Sequence, residues 1–248
     1  GADSASVMDT DGHPVVVGGK TVGPDKPTVL VYGHYDVQPA EPLELWETEP
    51  FEPVIKPTAN HPEGAIFARG ANDDKGQMFM HLLAFEYMVK SNRLPCNVKF
   101  LIEGEEEIGS ANLDKFLEKH AGELSCDVVL VSDTTMAGKE LPSVMTGLRG
   151  LAYFEVTVKG PSRDLHSGHF GGAVVNPCNA LCGMIASLHD EKGRITIPHF
   201  YDDVHEVTPA ERAEMEKAPF DPERYKKNIG VTAVSGEAGY TTRERATI

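Results

Sequence analysis

Three short stretches of the chain are mostly apolar and contain β-branched residues: Thr28–Tyr32 (TVLVY), Val98–Ile102 (VKFLI, interrupted by Lys99) and Val128–Val131 (VVLV). Runs of this length without alternation predict strands buried on both faces. Between the first two, Met78, Leu82, Phe85 and Val89 recur at helical spacing and form one apolar stripe, so a helix is expected from about Lys75. A second, shorter helix is expected over Leu113–Lys119. Strands alternating with helices predict an α/β fold built on a mostly parallel sheet.

The pattern changes after Gly147-Leu148-Arg149-Gly150. Leu151–Lys159 (LAYFEVTVK) alternates, with Ala152, Phe154, Val156 and Val158 on one face, as in a half-exposed antiparallel strand. Asn176-Pro177 reads as an N-cap followed by proline at the first helical position, with Leu181, Met184, Ile185 and Leu188 as the apolar stripe. Part of the polar tail from Ile195 onward, Thr208–Lys217, is expected to be helical. These changes place a domain boundary near residue 149: a first domain over 1–149 and a smaller α+β domain over 150–248.

The net charge of −15 argues against nucleic acid or an anionic membrane surface as a partner, since both select basic surfaces. No run of about 18 apolar residues is present to span a bilayer. Cys96, Cys126, Cys178 and Cys182 form no CxxC pair, a usage that suits a reducing, cytoplasmic compartment. Cys178 and Cys182 are expected to pack as small apolar groups on their helix.

Each buried run ends in acids or histidine. The first ends in Gly33-His34-Tyr35-Asp36, the second in Glu103-Gly104-Glu105-Glu106-Glu107, and the third in Ser132-Asp133. A fourth cluster, Asn72-Asp73-Asp74-Lys75-Gly76, stands just before the first helix. Taken singly, each has a bland reading: a loop pair, a solvated acidic run, or acids at the positive end of a helix. Taken together, they point elsewhere. Parallel strands bring their carboxyl ends to one sheet edge, where ligands gather. Carboxylates crowded there repel unless a cation lies among them. Histidine with several acids and no cysteine suits zinc, manganese or cobalt.

These residues resemble the M20 metallopeptidases, and most of all their cytosolic dipeptidase and carnosinase branch. The likeness rests on Tyr32–Pro39 with Leu43–Trp46, Ala68–Gly76, Glu103–Ser110 and Asp164-Leu165-His166-Ser167-Gly168, in order and spacing, and it extends over about residues 28–245. It implies a metal-binding catalytic domain followed by a lid or dimerisation domain, and two divalent ions per full-length subunit, zinc first, with manganese or cobalt as alternatives. His34, Asp73 and Asp133 would hold one ion, Asp73 would bridge, and Glu107 would be a ligand of the second. Asp36 would accept the other ring N–H of His34. Glu106 would be the general base for hydrolysis of the amide bond of a dipeptide or short peptide. His166 would stabilise the oxyanion in the active site of a homodimer partner. The Asp73–Asp74 peptide would be cis.

The same likeness leads to an expectation that the chain is cut short at both ends. The family's final metal-ligand histidine has no counterpart, because His189, His199 and His205 lie in the second domain without its motif. This chain would then bind at most one metal tightly and show little or no activity. Rival readings are an N-acyl-amino-acid deacylase with the same metals, a non-catalytic metal-binding or dimerisation protein, and an acidic structural domain without metal. Gln38–Pro53, around Trp46, favours the dipeptidase branch, intact Glu106 argues against the non-catalytic reading, and the metal-free domain leaves the clusters unexplained.

Overall fold

The computed structural model describes residues 1–136, 141–145, 148, 150–217 and 220–241. The chain divides into two compact units, Gly1–Thr135 and Met136–Ile248. The expected boundary, at Arg149, falls on a position outside the described residues.

The first unit is built on a sheet of five strands: β1 (Ser4–Met8), β2 (Val15–Lys20), β3 (Thr28–His34), β6 (Asn97–Glu103) and β7 (Val128–Val131). A separate antiparallel pair is formed by β4 (Val54–Lys56) and β5 (Ala65–Phe67). The order in the large sheet is β1-β2-β6-β3-β7. The three apolar runs are its parallel part, with β3 between β6 and β7. The sheet is nevertheless mixed, because β1 and β2 add an antiparallel ribbon along β6 that the hydrophobic pattern does not reveal. Strand β1 is exposed over four of its five residues, and β2 carries Gly18 and Gly19, so neither reads as a buried run. Gly19 is required by close approach: a Cβ there would lie 2.3 Å from the Val98 carbonyl oxygen.

Helix α1 (Lys75–Lys90) starts where expected, and helix α2 (Leu113–Leu124) runs one turn beyond its expected end. They cover opposite faces of the sheet. Phe85 of α1, with Leu82 and Val89 beside it, packs on Val31, Val98 and Phe100. Phe116 and Leu124 of α2 pack on Val15, Val17, Leu30 and Leu101. Leu30 and Val31 are adjacent on β3 and belong to different clusters, as side-chain alternation along a strand demands. Phe85 and Phe100 meet edge to face at 5.3 Å, the arrangement their ring quadrupoles favour.

The second unit contains α3 (Ser167–Phe170), α4 (Pro177–Ala186), α5 (Pro209–Lys217) and α6 (Pro222–Ile229). Asn176 caps α4 as its sequence predicts, accepting from the N–H groups of Cys178 and Asn179. Asp221 caps α6 in the same way, and the same Asp-Pro signal would have found that helix. Two expectations fail here. Leu151–Lys159 is not a strand: Leu151, Tyr153 and Phe154 are 94%, 90% and 81% exposed. Alternation marks which side chains share a face but supplies no backbone partner, and no strand among the described residues pairs with this segment. Cys178 and Cys182 are exposed rather than packed, because α4 buries none of its residues.

Candidate metal centre

His34 is the last residue of β3 and its imidazole is completely buried. Burial follows from its neighbours. Gly33 lets α1 come close, since a Cβ there would lie 2.8 Å from Asp74 Oδ2 and 3.2 Å from Met78 Cβ. The parallel ladder with β6 continues through Tyr35, whose N–H donates to the Glu103 carbonyl at 2.8 Å. The Tyr35 hydroxyl donates to the Pro14 carbonyl at 2.7 Å, tying the loop to the start of β2.

Three carboxylates surround Nε2 of this imidazole. Asp73 Oδ1 lies at 3.1 Å, Asp133 Oδ2 at 3.6 Å and Glu106 Oε2 at 4.0 Å. The ligand atoms of His34, Glu106 and Asp133 all lie within 4.8 Å of one another. On the other side of the ring, Asp36 Oδ1 lies 3.2 Å from Nδ1. The same Asp36 carboxylate accepts the N–H of Glu106 at 3.3 Å and of Glu107 at 2.9 Å. One acid therefore orients the imidazole and anchors the short 3-10 turn, Glu106–Ile108, that carries the two glutamates. Glu107 turns toward Gln38, whose amide donates to Glu107 Oε2 at 2.7 Å.

The Asp73–Asp74 peptide is cis. Asp74 occupies the N-cap position of α1, yet its carboxylate does not cap the helix. Oδ2 accepts the His34 backbone N–H at 3.1 Å, and the buried Oδ1 has no hydrogen-bond partner among the described residues. Below the site, buried Glu103 accepts from the Tyr32 hydroxyl at 2.5 Å and from the Ser110 hydroxyl at 2.9 Å.

Electrostatics reflect this crowding. Burial works to depress the His34 imidazole but is outweighed by the charges of Glu106, Asp36, Asp74 and Asp133, which hold it above the ordinary value. Asp133 is raised by burial and then by Asp73. Glu106 is raised by burial, with Asp133, Glu107 and Asp36 adding to the shift against the opposing pull of His34. Asp74 is also raised, chiefly by burial. Among the described residues, none of these acids pairs with lysine or arginine. One imidazole nitrogen, several carboxylate oxygens without a cationic side chain, and a buried oxygen without a partner make a donor set that fits a divalent cation of the zinc, manganese or cobalt class.

The structure thus brings together His34, Asp36, Asp73, Asp133 and Glu106, with Glu107 beside them on the same turn. His166 belongs to the second unit. There it stands before α3, exposed, with Nδ1 accepting the Gly168 N–H at 3.0 Å and its ring 4.9 Å from that of His169. Three residues of the surroundings were given no role of their own from sequence. Gln38 holds Glu107, buried Asp74 holds the His34 backbone, and His81 of α1 contacts Ser132 beside Asp133. His81 stands one position before Leu82 of the apolar stripe, a place on the flank of a buried face that would have marked it. Burial depresses its imidazole below the ordinary value. Farther out, the guanidinium of Arg69 lies 5.0 Å from the Trp46 ring, and the Trp46 indole donates to the Ala40 carbonyl at 2.8 Å, ordering the loop after Asp36.

Comparison with known proteins supplies an independent line. The model of peptidase family M20/M25/M40 matches residues 30–245. The Cys-Gly metallodipeptidase of Schizosaccharomyces pombe is 38% identical over 220 residues, covering 88% of this chain and 45% of its own length. The Beta-Ala-His dipeptidase of Rattus norvegicus is 34% identical over 221 residues, with 88% and 44% covered. Among solved structures, an M20 family metallo-carboxypeptidase from Sulfolobus solfataricus matches with a TM-score of 0.76 at 37% identity, over 97% of this chain and 52% of that one. Human carnosine dipeptidase 1 gives 0.70 at 33% identity, over 94% and 50%. The chain spans about half the length of the curated relatives it matches.

Proposed function

Since the chain belongs to peptidase family M20/M25/M40, we propose that the cluster around His34 is the metal centre of a dipeptidase hydrolysing the amide bond of dipeptides or short peptides. The observation that carries this reading is the fully buried His34 imidazole, faced by Asp73, Asp133 and Glu106 from three separate segments with no lysine or arginine among the described residues paired to them. Two relatives named for dipeptidase activity support the substrate class.

His34, Asp73 and Asp133 would hold one divalent ion, with Asp73 and Glu107 serving a second; zinc suits this set best, and manganese or cobalt also suit it. Bound there, the ions would supply positive charge that acidifies water and polarises the scissile carbonyl. The chain's own residues do the rest. Glu106 accepts the proton of the attacking water and returns it to the departing amine. Its raised proton affinity suits a group that must carry a proton between the two events. Asp36 keeps the Nδ1 side of His34 engaged so that Nε2 faces the carboxylates. His166 takes the oxyanion-stabilising role that its motif, Asp164–Gly168, implies, acting in the site of a homodimer partner in the cytoplasm.

The test is hydrolysis of a panel of dipeptides by the full-length protein, with N-acyl amino acids as the contrasting substrates, after chelation and after return of zinc, manganese or cobalt. Dipeptide hydrolysis lost on chelation and restored by metal supports the reading. Cleavage of the acyl compounds alone would replace it with a deacylase.

A further inference from the structure

Asp133 stands in the turn that follows β7. Among the described residues, β7 pairs only with β3. That pairing ends at Tyr32 and Val131, and among the described residues Ser132–Thr134 continues no ladder. Within the turn, the Thr134 N–H donates to the Ser132 carbonyl at 2.6 Å, which sets its shape but not its position.

Position comes from α1. His81 Nε2 lies 2.5 Å from the Ser132 hydroxyl, and the Gln77 amide reaches the Thr134 carbonyl at 3.5 Å. Residues four apart on a helix share a face, so the two contacts flank Asp133 on either side. The helix itself is anchored in the core through Phe85, Leu82 and Val89. A half-buried imidazole on a helix anchored in the core thus holds the turn.

Resting on the metal-centre reading above, we propose that His81 is a positioning residue that holds the Ser132–Thr134 turn through the Ser132 hydroxyl and so keeps the Asp133 carboxylate facing His34 Nε2. Outer partners of metal ligands typically carry 10–100-fold of metal affinity. Replacing His81 therefore weakens metal binding although His81 touches no metal.

The experiment is titration of the protein with cobalt(II) alone, read from its visible absorption. His81→Phe keeps the bulk and removes the hydrogen bond. Ser132→Ala removes it from the other side with little change in packing. Each is expected to weaken cobalt binding by about tenfold or more. The double variant should bind no more weakly than either single one, because both remove the same contact. His81→Gln, which can still reach the hydroxyl, should recover part of the loss. Asp133→Ala is the reference for the reading beneath the proposal. If it weakens binding while His81→Phe and Ser132→Ala bind as wild type, the positioning role is wrong and the metal centre stands. If Asp133→Ala also binds as wild type, the metal centre itself is misassigned. If His81→Phe weakens binding while Ser132→Ala binds as wild type, the contact with the Ser132 hydroxyl is not what matters and the proposal fails.

Discussion

Nε2 of His34 lies 3.6 Å from Oδ2 of Asp133, and strand register brings them there. The last β3–β7 pair joins Tyr32 to Val131. Two residues past that pair stand His34, the last of β3, and Asp133, in the turn that follows β7. The β3–β6 register sets Glu103 opposite His34, and the turn that follows brings Glu106 to 4.0 Å from the same nitrogen. Three carboxyl ends thus converge because their strands run the same way.

Glu106 and Glu107 are neighbours that the proposed mechanism gives separate roles. Glu106→Gln is expected to leave metal content near wild type and to lower turnover by about 10²–10⁴-fold, the usual worth of a general base. Glu107→Ala is expected to lower metal content. Metal analysis and rate measurement on both variants check this; a Glu106→Gln variant retaining more than about a tenth of the rate would remove Glu106 from the role.

Gly33 is required by space. An added Cβ would meet Asp74 Oδ2 at 2.8 Å and Met78 at 3.2 Å, so α1 or the acid must give way. Gly33→Ala should destabilise the fold by about 1–3 kcal/mol, the ordinary cost of overpacking. Gly23→Ala is the control, since its Cβ would meet only Lys26 Cγ at 3.6 Å. Equal denaturation midpoints for the two variants would contradict the crowding argument.

His81 makes stability depend on pH. Its folded proton affinity is depressed by burial, while the unfolded imidazole titrates near about 6.5. The unfolded chain therefore binds more protons in the window below that value, and acid favours unfolding. The contribution is complete above about pH 6.5 and is lost as pH falls toward the lowered folded value. Denaturant midpoints at about pH 7.5 and about pH 5 should differ more for wild type than for His81→Phe. Parallel losses in both proteins would show that His81 does not contribute.

His166 can be tested by complementation. If it serves a partner's site, mixing inactive His166→Ala with inactive Glu106→Gln should restore part of the activity through hybrid dimers. Absence of recovery, with subunit exchange demonstrated by labelled chains, would place its action within its own chain or nowhere.

Local rules carried much of the fold. Strands β3, β6 and β7 and the stripe of α1 were legible from their apolar runs and helical spacing, although β7 is exposed at three of its four residues rather than buried on both faces. The cap at Asn176 was legible because it depends on only a few consecutive residues. The same held for the chemistry: four clusters of acids and histidine, each beside an apolar run or a helix start, already implied a cation. Strands β1 and β2 were hidden, since exposure and paired glycines erase the period.

By itself, then, the sequence determined which residues are apolar, which carry carboxylate and imidazole donor atoms, and where helices α1 and α4 and strands β3, β6 and β7 begin. Tertiary structure alone decided which of them meet. It aimed Asp74 at the His34 backbone instead of at its own helix, turned Glu107 toward Gln38, set His81 against Ser132, and left Leu151–Lys159 without a partner strand among the described residues. The reason is that periodicity and capping are fixed by neighbours along the chain, whereas a hydrogen bond between distant residues depends on strand register and helix placement, which no local pattern specifies.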